Sequence, residues 1–287
     1  MLLRNATLMN DFSEVQHGLA CLTAAYASEA GERLKTFLRS LQPDLVDILE
    51  ATFNDTILDL RGETYLISIS EHGDGEDGDE FEDALGRLSM WRAYAPKDGV
   101  ALVFKNTPFL TESNALNAYS CPVTYATVDE YVKVFTTLVD GIEREADLLR
   151  NVIGPKGVLD NLVNAFRFSS VSTKHPSFRE EREWRVIYSP TLLARQELLT
   201  DAQMAKIPTD IMCLRGVPQR VYAIPFANHP DEGFIGATIP EIFDRVLIGP
   251  TRDAYAIGQA MVAELRRCGV TDADAKVFIT GIPLRQP

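Results

Sequence analysis

Residues 181–186 read EREWRV, a run in which charged side chains are spaced so that they could meet. If the chain is extended from Glu181 onward, alternation places Glu181, Glu183 and Arg185 on one face of a strand. Two neighbouring carboxylates repel each other, which raises the pKa of one, while the guanidinium lowers the pKa of the other. Carboxyl groups whose pKa values are driven apart suit acid/base chemistry or the stabilisation of a positive charge. The alternative is a solvated strand of alternating charge with no chemical role.

Hydroxyl and aromatic side chains form the second group of candidates. Ser68 and Ser70 lie two residues apart on a predicted strand, 64–70, so both hydroxyls project from one face. Neither has the Gly-x-Ser-x-Gly setting of a nucleophile elbow, which disfavours a hydrolase triad. Trp91 and Tyr94 fall on a short predicted helix, where they serve either the core or a platform for a ligand.

Metal chemistry has little support in the sequence. The four histidines include no pair with metal-ligand spacing. The stretch 71–83 holds eight acidic residues and three glycines, but its spacing does not fit an EF-hand. Such a composition repels itself and cannot be buried, so a mobile acidic loop is predicted there. We therefore predict no metal site.

Composition indicates a globular chain and limits its partners. The 287 residues are 46% hydrophobic and 24% charged, enough for a sizeable core. Lys and Arg total 28 against 41 Asp and Glu, and the net charge of -13 argues against non-specific binding to nucleic acid or to an anionic membrane. The four dispersed cysteines indicate buried, reduced thiols, and the sequence shows neither a secretory signal nor a run of roughly 20 apolar residues. A cytoplasmic protein is predicted, and its oligomeric state is left open.

Two kinds of periodicity occur along the chain. Apolar residues at three- to four-residue intervals predict helices, and alternating apolar residues predict strands. The helices are predicted at 10–41, 43–49, 85–95, 128–149, 159–168, 196–207 and 253–268, and the first of them is either one long helix or a pair bent at Gly31. The strands are predicted at 64–70, 100–104, 121–125, 184–188, 220–224, 246–248 and 275–279.

The order of these elements predicts the fold class. Helices and strands mix without the strict alternation of a doubly wound sheet, and no Gly-x-Gly-x-x-Gly turn or P-loop occurs. The predicted class is α+β, with one mixed, mainly antiparallel sheet as the core and several helices packed around it. Since no Pro-, Gly- or Ser-rich linker divides the chain, we predict a single domain over residues 1–287, with a helical insertion at about 128–168.

Several short motifs occur in an order that resembles the bacterial family called domain of unknown function 2971. Each motif alone is weak, but their shared order covers nearly the whole chain. The motifs lie at residues 9–14, 67–70, 90–95, 99–104 and 123–125, at Lys174 and Phe178, and at residues 181–185, 248–250 and 281–285.

The resemblance implies a cytoplasmic protein of the abortive-infection or phage-defence kind. A Ser-x-Ser strand followed by a Glu-x-Glu strand is similar to the ADP-ribosyltransferase superfamily. By that similarity Glu183 would hold the nicotinamide ribose and stabilise an oxocarbenium-like transition state, and Glu181 would orient the acceptor. NAD would be the substrate, and Arg185 would complete the catalytic group. The residues assigned to binding the dinucleotide are Ser68, Ser70, Trp91, Tyr94 and Lys174.

Three hypotheses follow for the function. The first is an ADP-ribosyltransferase or an NAD glycohydrolase in a defence or toxin system. The second is a non-catalytic binding or sensor module, in which the charged face recognises a phage or host protein. The third, a nuclease, needs a carboxylate metal site and is disfavoured by the acidic balance. Members of the family usually begin with a Tyr-rich strand that carries a His, Lys or Arg, so we expect that such a strand is missing before Met1 and that NAD binding is weakened.

Overall fold

A computed structural model describes residues 1–9, 14–73, 80–95, 97–190 and 204–283. The chain divides into two compact units. The larger unit comprises Leu2–Ile69 and Ala118–Ile224, and the smaller unit comprises Met1, Ser70–Asn117 and Pro225–Pro287. The single domain over residues 1–287 stays a prediction.

Most of the strands belong to one sheet in the larger unit. Counting both units, the strands of the described residues are β1 Leu2–Asn5, β2 Tyr65–Ser70, β3 Val100–Phe104, β4 Tyr119–Pro122, β5 Thr124–Tyr125, β6 Thr173–Lys174, β7 Glu183–Tyr188, β8 Thr209–Leu214, β9 Val217–Ala223, β10 Phe243–Ile248 and β11 Val277–Ile279. Six of them are ordered β4-β7-β2-β1-β9-β8, while β5 and β6 form a short parallel pair. β1 pairs antiparallel with β2 and with β9, as β4 does with β7 and β8 with β9.

A layer of helices forms the rest of the larger unit. Counting both units, the α-helices of the described residues are α1 Glu14–Tyr26, α2 Glu29–Leu41, α3 Leu45–Gly62, α4 Glu80–Leu85, α5 Leu88–Tyr94, α6 Thr107–Leu110, α7 Val128–Arg144, α8 Ala146–Leu148, α9 Gly154–Ser172, α10 Ile239–Ile242 and α11 Ala254–Arg267. A π-helical turn, Leu149–Ile153, joins α8 to α9. Buried side chains from α1, α2, α3, α7 and α9 form one apolar core.

Helix α7 shows how the sequence specifies these elements. The Thr127 side chain accepts from the backbone N–H of Glu130, and the Glu130 carboxylate accepts from the backbone N–H of Thr127 at 2.8 Å. This reciprocal capping box satisfies two backbone donors at the start of the helix. Tyr131, Phe135 and Val139 then recur every four residues, and all three are buried. The apolar stripe therefore fixes the face of α7 that packs on the core.

Two helices of the larger unit approach each other closely at a glycine. A β-carbon at Gly18 in α1 would lie 2.2 Å from the carbonyl oxygen of Ser170 in α9. Because backbone atoms cannot move aside as a flexible side chain does, only glycine fits at this crossing.

The smaller unit has its own three-stranded sheet and core. The strands are ordered β11-β10-β3, with β10 antiparallel to β3 and parallel to β11. Helix α11 packs on β10 through Val262 and Leu265, which share a core with Val246 and Ile248. The six-stranded sheet is mainly antiparallel, the three-stranded sheet is mixed, and helices pack with them, so the predicted α+β class is confirmed. The strands form separate sheets and not the one sheet that was predicted.

Most of the predicted elements are present with bounds that differ by a few residues, but the predicted helix 43–49 continues as far as Gly62 in α3. The predicted helix 10–41 is divided into α1 and α2, and the predicted strand 121–125 is divided between β4 and β5. Strands β1, β6 and β8 were not predicted. The predicted acidic loop at 71–83 is wrong at residues 80–83, which belong to helix α4, and its residues 74–79 lie outside the described residues. Also outside them are the predicted helix start at 10–13, most of the predicted helix at 196–207 and the last motif residues. None of the helices in the described ranges is long and apolar enough to cross a membrane.

Candidate functional site

Strand β7 carries the two most deeply buried ionisable groups of the predicted site. Glu183 is 4% exposed and Arg185 is 1% exposed, so the alternative of a solvated charged strand is wrong. The predicted alternation holds from Glu183 onward but is wrong at Glu181, which ends the 3-10 helix Pro176–Glu181. Arg182 then takes a left-handed conformation with φ 43°, which turns the chain into β7.

The Glu183 carboxylate accepts hydrogen bonds from three side chains. Its Oε1 atom accepts from Ser68 Oγ at 2.5 Å and from Arg185 Nε at 2.7 Å. Its Oε2 atom accepts from Lys174 Nζ at 3.1 Å. Strand β2, which carries Ser68, lies next to β7 in the sheet, so neighbouring strands hold both ends of the Ser68 contact. Ser68 is itself exposed, and its hydroxyl therefore lies between the buried carboxylate and solvent.

Lys174 joins the two predicted carboxylates. Its ammonium group donates to Glu181 Oε2 at 2.7 Å as well as to Glu183, and it lies 4.5 Å from the centre of the Phe178 ring. A buried ammonium is unfavourable unless it is paired, and here two carboxylates and an aromatic face replace water. Lys174, Glu181, Glu183 and Arg185 are called the charge quartet below. The structure thus brings the three predicted catalytic residues together, with Lys174 as the bridge.

Backbone contacts hold the charge quartet in place. The backbone N–H of Glu183 donates to the hydroxyl of Tyr125 at 2.8 Å. Arg185 Nη1 donates to the carbonyl oxygen of Val171 at the end of α9. Tyr125 lies opposite Lys174 in the short β5–β6 pair. Sequence reasoning did not identify Tyr125 or Val171 as part of the site; the motif at 123–125 was the one signal for Tyr125.

The surroundings of Glu183 keep its carboxyl group ionised. Burial by itself opposes ionisation, but the charge and hydrogen bond of Arg185, the hydroxyl of Ser68 and the charge of Lys174 outweigh it. Together they lower the pKa of Glu183 from 4.5 to about 2. At neutral pH this group acts as an anion and not as a proton donor.

The remaining predicted site residues lie in the smaller unit. Ser70 accepts a hydrogen bond from the guanidinium of Arg87, which also donates to the carbonyl oxygen of Glu71 at 2.7 Å. Trp91 is 5% exposed and donates its indole N–H to the carbonyl oxygen of Leu85 at 2.8 Å. Tyr94 is exposed.

Trp91 is packed as a core residue, in line with one of the two roles that the sequence left open. A β-carbon at Gly249 would lie 2.6 Å from Cε3 of the Trp91 ring. The backbone N–H of Gly249 also donates to the carbonyl oxygen of Gly99 at 2.9 Å. Three of the sequence motifs, around residues 91, 99 and 249, therefore meet in one packing arrangement.

The histidines and cysteines near the charge quartet have structural roles. The His175 ring accepts from the backbone N–H of Ser177 at 3.3 Å and caps the 3-10 helix. Burial raises the pKa of the Cys121 thiol, which keeps it protonated. The prediction that all the cysteines are buried is wrong, because Cys21 is buried, Cys121 and Cys268 are half-buried, and Cys213 is exposed on an edge strand. No cluster of three His, Cys, Asp or Glu residues suited to a metal ion occurs in the described parts of the chain.

The arrangement can supply a fixed negative charge beside an exposed hydroxyl. Such a charge stabilises a developing cation, because the carboxylate needs no reorganisation when the cation forms. Glu181 is half-buried and lies on the other side of Lys174, where it could orient a polar group of a second molecule. The site has no activated nucleophile among its described residues, so chemistry that depends on a strong nucleophile is not supported.

Comparison with known families agrees with part of the sequence reasoning. Residues 90–186 match the model of a family described as Protein of unknown function (DUF2971). The match confirms the predicted resemblance within residues 90–186, which include the whole charge quartet, Trp91 and Tyr94. Ser68 and Ser70 precede the matched residues. A search of curated proteins and a search of solved structures each gave no match.

Proposed function

We propose, from the DUF2971 match and the charge quartet, that the protein is an NAD-cleaving enzyme, either an ADP-ribosyltransferase or an NAD glycohydrolase. The observation that carries the proposal is the 2.5 Å hydrogen bond from Ser68 Oγ to Glu183 Oε1. It joins the Ser-x-Ser strand to the Glu-x-Glu segment, which is the pairing that the similarity to ADP-ribosyltransferases requires.

The electrostatics of Glu183 suit this reaction. When the bond between the ribose and nicotinamide breaks, the electron pair goes to the ring nitrogen and positive charge moves onto the ribose. A carboxylate with a pKa of about 2 is fully ionised at neutral pH and would stabilise that charge. Glu181 would orient the acceptor, which is water in a glycohydrolase and a side chain of a target protein in a transferase. Lys174 holds both carboxylates in position, and Arg185 holds that of Glu183.

The family resemblance suggests the setting of this activity. We place it in the cytoplasm, in a phage-defence or toxin system, with NAD and a protein target as partners. The net charge of -13 supports the exclusion of non-specific nucleic acid and of anionic membranes as partners. Ser70, Trp91 and Tyr94 remain in the proposal only as residues of the NAD-binding region that the resemblance implies.

Nicotinamide release from NAD tests the proposal. Wild-type protein is expected to release nicotinamide, and Glu183→Gln is expected to lower the rate by about 10² to 10³. Glu241→Gln is the matched control, because this carboxylate is exposed and lies outside the charge quartet. Free ADP-ribose among the products would identify a glycohydrolase, and ADP-ribose attached to a protein would identify a transferase. No release by the wild-type protein, with or without candidate targets, would reject the proposal.

A second candidate function is a non-catalytic binding or sensor module for a protein partner. It is favoured by the balance of the charge quartet, whose two cations and two anions cancel, and by the low exposure of Glu183. This candidate predicts that Glu183→Gln weakens capture of the partner in a pull-down, while neither protein releases nicotinamide.

A further inference from the structure

We infer that the protein forms a dimer in which the outer edge of β3 pairs with β3 of a second copy. Strand β3 is an outermost strand of the three-stranded sheet in the smaller unit. Its five residues, VALVF, are all apolar, and Leu102 is 51% exposed and Val100 37% exposed. This surface is separate from the charge quartet, so the inference does not depend on the proposed function.

The hydrogen bonds of β3 show which of its backbone groups face outward. The backbone N–H of Gly249 donates to the carbonyl oxygen of Gly99, so Gly99 faces β10. In an antiparallel ladder the bonding direction alternates from residue to residue. With Ala101 opposite Leu247 and Val100 opposite Ile248, the backbone N–H and C=O groups of Val100 and Leu102 therefore point away from β10. They offer donors and acceptors to another strand.

The other edges of the six-stranded and three-stranded sheets in the described part of the chain are protected, and β3 is not. On the edge strand β8, the Asp210 carboxylate accepts a hydrogen bond from the backbone N–H of Ile211 at 2.7 Å, so this N–H is not available to a new strand. On the edge strand β4, Pro122 has no N–H to offer. Strand β11 is only three residues long. Charges, prolines and short strands are the usual means of preventing edge pairing, and β3 has none of them.

The sequence around β3 fits a second copy of itself in an antiparallel pair. If Leu102 faces Leu102 of the second copy, then Val100 faces Phe104 of that copy, and every pair within the strand is apolar. In this register Lys105 at each end faces Gly99 of the second copy, so no like charges face each other. A different partner strand would need to reproduce this pattern, whereas a second copy already has it. The result is one six-stranded sheet across the two copies.

Light scattering after size-exclusion chromatography tests the dimer. The wild-type protein is expected at twice the monomer mass. Leu102→Lys places two like charges opposite each other and is expected to raise the dissociation constant by at least about tenfold. Ile211→Lys is the matched control, because it places the same charge on an exposed apolar residue of the protected edge β8 and is expected to leave the dimer intact.

A disulfide test reports the register and does not depend on how well Leu102→Lys folds. Residues directly opposite in a hydrogen-bonded antiparallel pair have Cα atoms about 5.5 Å apart, which a disulfide can span. In a Cys213→Ser, Cys268→Ser background, Leu102→Cys is expected to form a covalent dimer on mild oxidation. Val100→Cys, which would face Phe104, is expected to form little.

Three outcomes would overturn the inference. They are a wild-type protein that stays monomeric at high concentration, a dimer lost in Ile211→Lys but kept in Leu102→Lys, and equal cross-linking of the two cysteine variants.

Discussion

The buried carboxylate of Glu183 makes the stability of the larger unit depend on pH in a way that one substitution isolates. Glu183→Gln keeps the size of the side chain but removes its charge, and leaves Arg185 and Lys174 buried without one of their partners. Breaking a buried ion pair by removing one member costs about 3 to 5 kcal/mol. We expect a loss of this size in the free energy of unfolding at pH 6.

The difference between the two proteins should shrink in acid. The pKa of Glu183 is about 2 in the folded protein and 4.5 for the ordinary group, so its ionisation stabilises the fold by about 3 kcal/mol. Because the folded pKa is the lower one, this stabilisation is fully present above pH 4.5 and is lost as the pH falls towards 2. By pH 3 about 2 kcal/mol of it should be gone. Glutamine does not titrate, and every other carboxyl group is common to both proteins.

Urea unfolding followed by tryptophan fluorescence measures this effect. The chain has two tryptophans, and Trp184 lies in the larger unit, so a Trp91→Phe background makes the signal report that unit alone. Unfolding curves of this protein with and without Glu183→Gln should be compared at pH 6 and pH 3. A free-energy difference that is the same at both pH values would refute the reasoning, because it would mean that Glu183 is not held as an anion by its neighbours.

Three further substitutions test the packing and the helix start. Gly18→Ala forces a β-carbon against the Ser170 carbonyl oxygen and should destabilise the larger unit by about 3 kcal/mol in urea unfolding; an unchanged midpoint would contradict the α1–α9 contact. Gly249→Ala forces a β-carbon against the Trp91 ring and should lower the free energy of unfolding by about 1 to 3 kcal/mol. In a Trp184→Phe background the Trp91 fluorescence should then change at a lower urea concentration, and unfolding curves that coincide with those of the parent protein would argue against that packing. Thr127→Ala removes the side-chain cap of α7 and should lower stability by about 1 kcal/mol by thermal unfolding, and a gain in stability would be inconsistent with the capping box.

Periodicity predicted the central part of the site because a strand places alternate side chains together whatever surrounds it. Glu183 and Arg185 meet for this reason, and their burial follows from the position of β7 inside the sheet. Glu181 lies near them for a different reason, because Arg182 adopts a left-handed conformation and the ammonium of Lys174 donates to the Glu181 carboxylate. A left-handed arginine has no sequence signal, since glycine or asparagine is the usual choice for that conformation.

Other features were missed because they depend on contacts between distant residues. Strand β1 has only four residues, and it is a strand because β2 and β9 pair with it on both sides. Lys174 was among the predicted site residues, but the two-residue strand β6 that carries it was not predicted, and it forms because it pairs with β5. Local propensity carries no information about such pairings, which is why strands are harder to predict than long amphipathic helices.

Nicotinamide release measured in a double-mutant cycle of Ser68 and Glu183 tests the central claim most directly. Ser68 is exposed, so Ser68→Ala removes the hydroxyl without leaving a charge buried and unpaired. If Ser68 acts by positioning the Glu183 carboxylate, the wild-type protein releases nicotinamide and the Ser68→Ala variant releases it more slowly. The double variant Ser68→Ala, Glu183→Gln is then no slower than Glu183→Gln alone. The claim would be contradicted if the rate losses of the two single variants multiplied in the double variant, or if the wild-type protein released no nicotinamide.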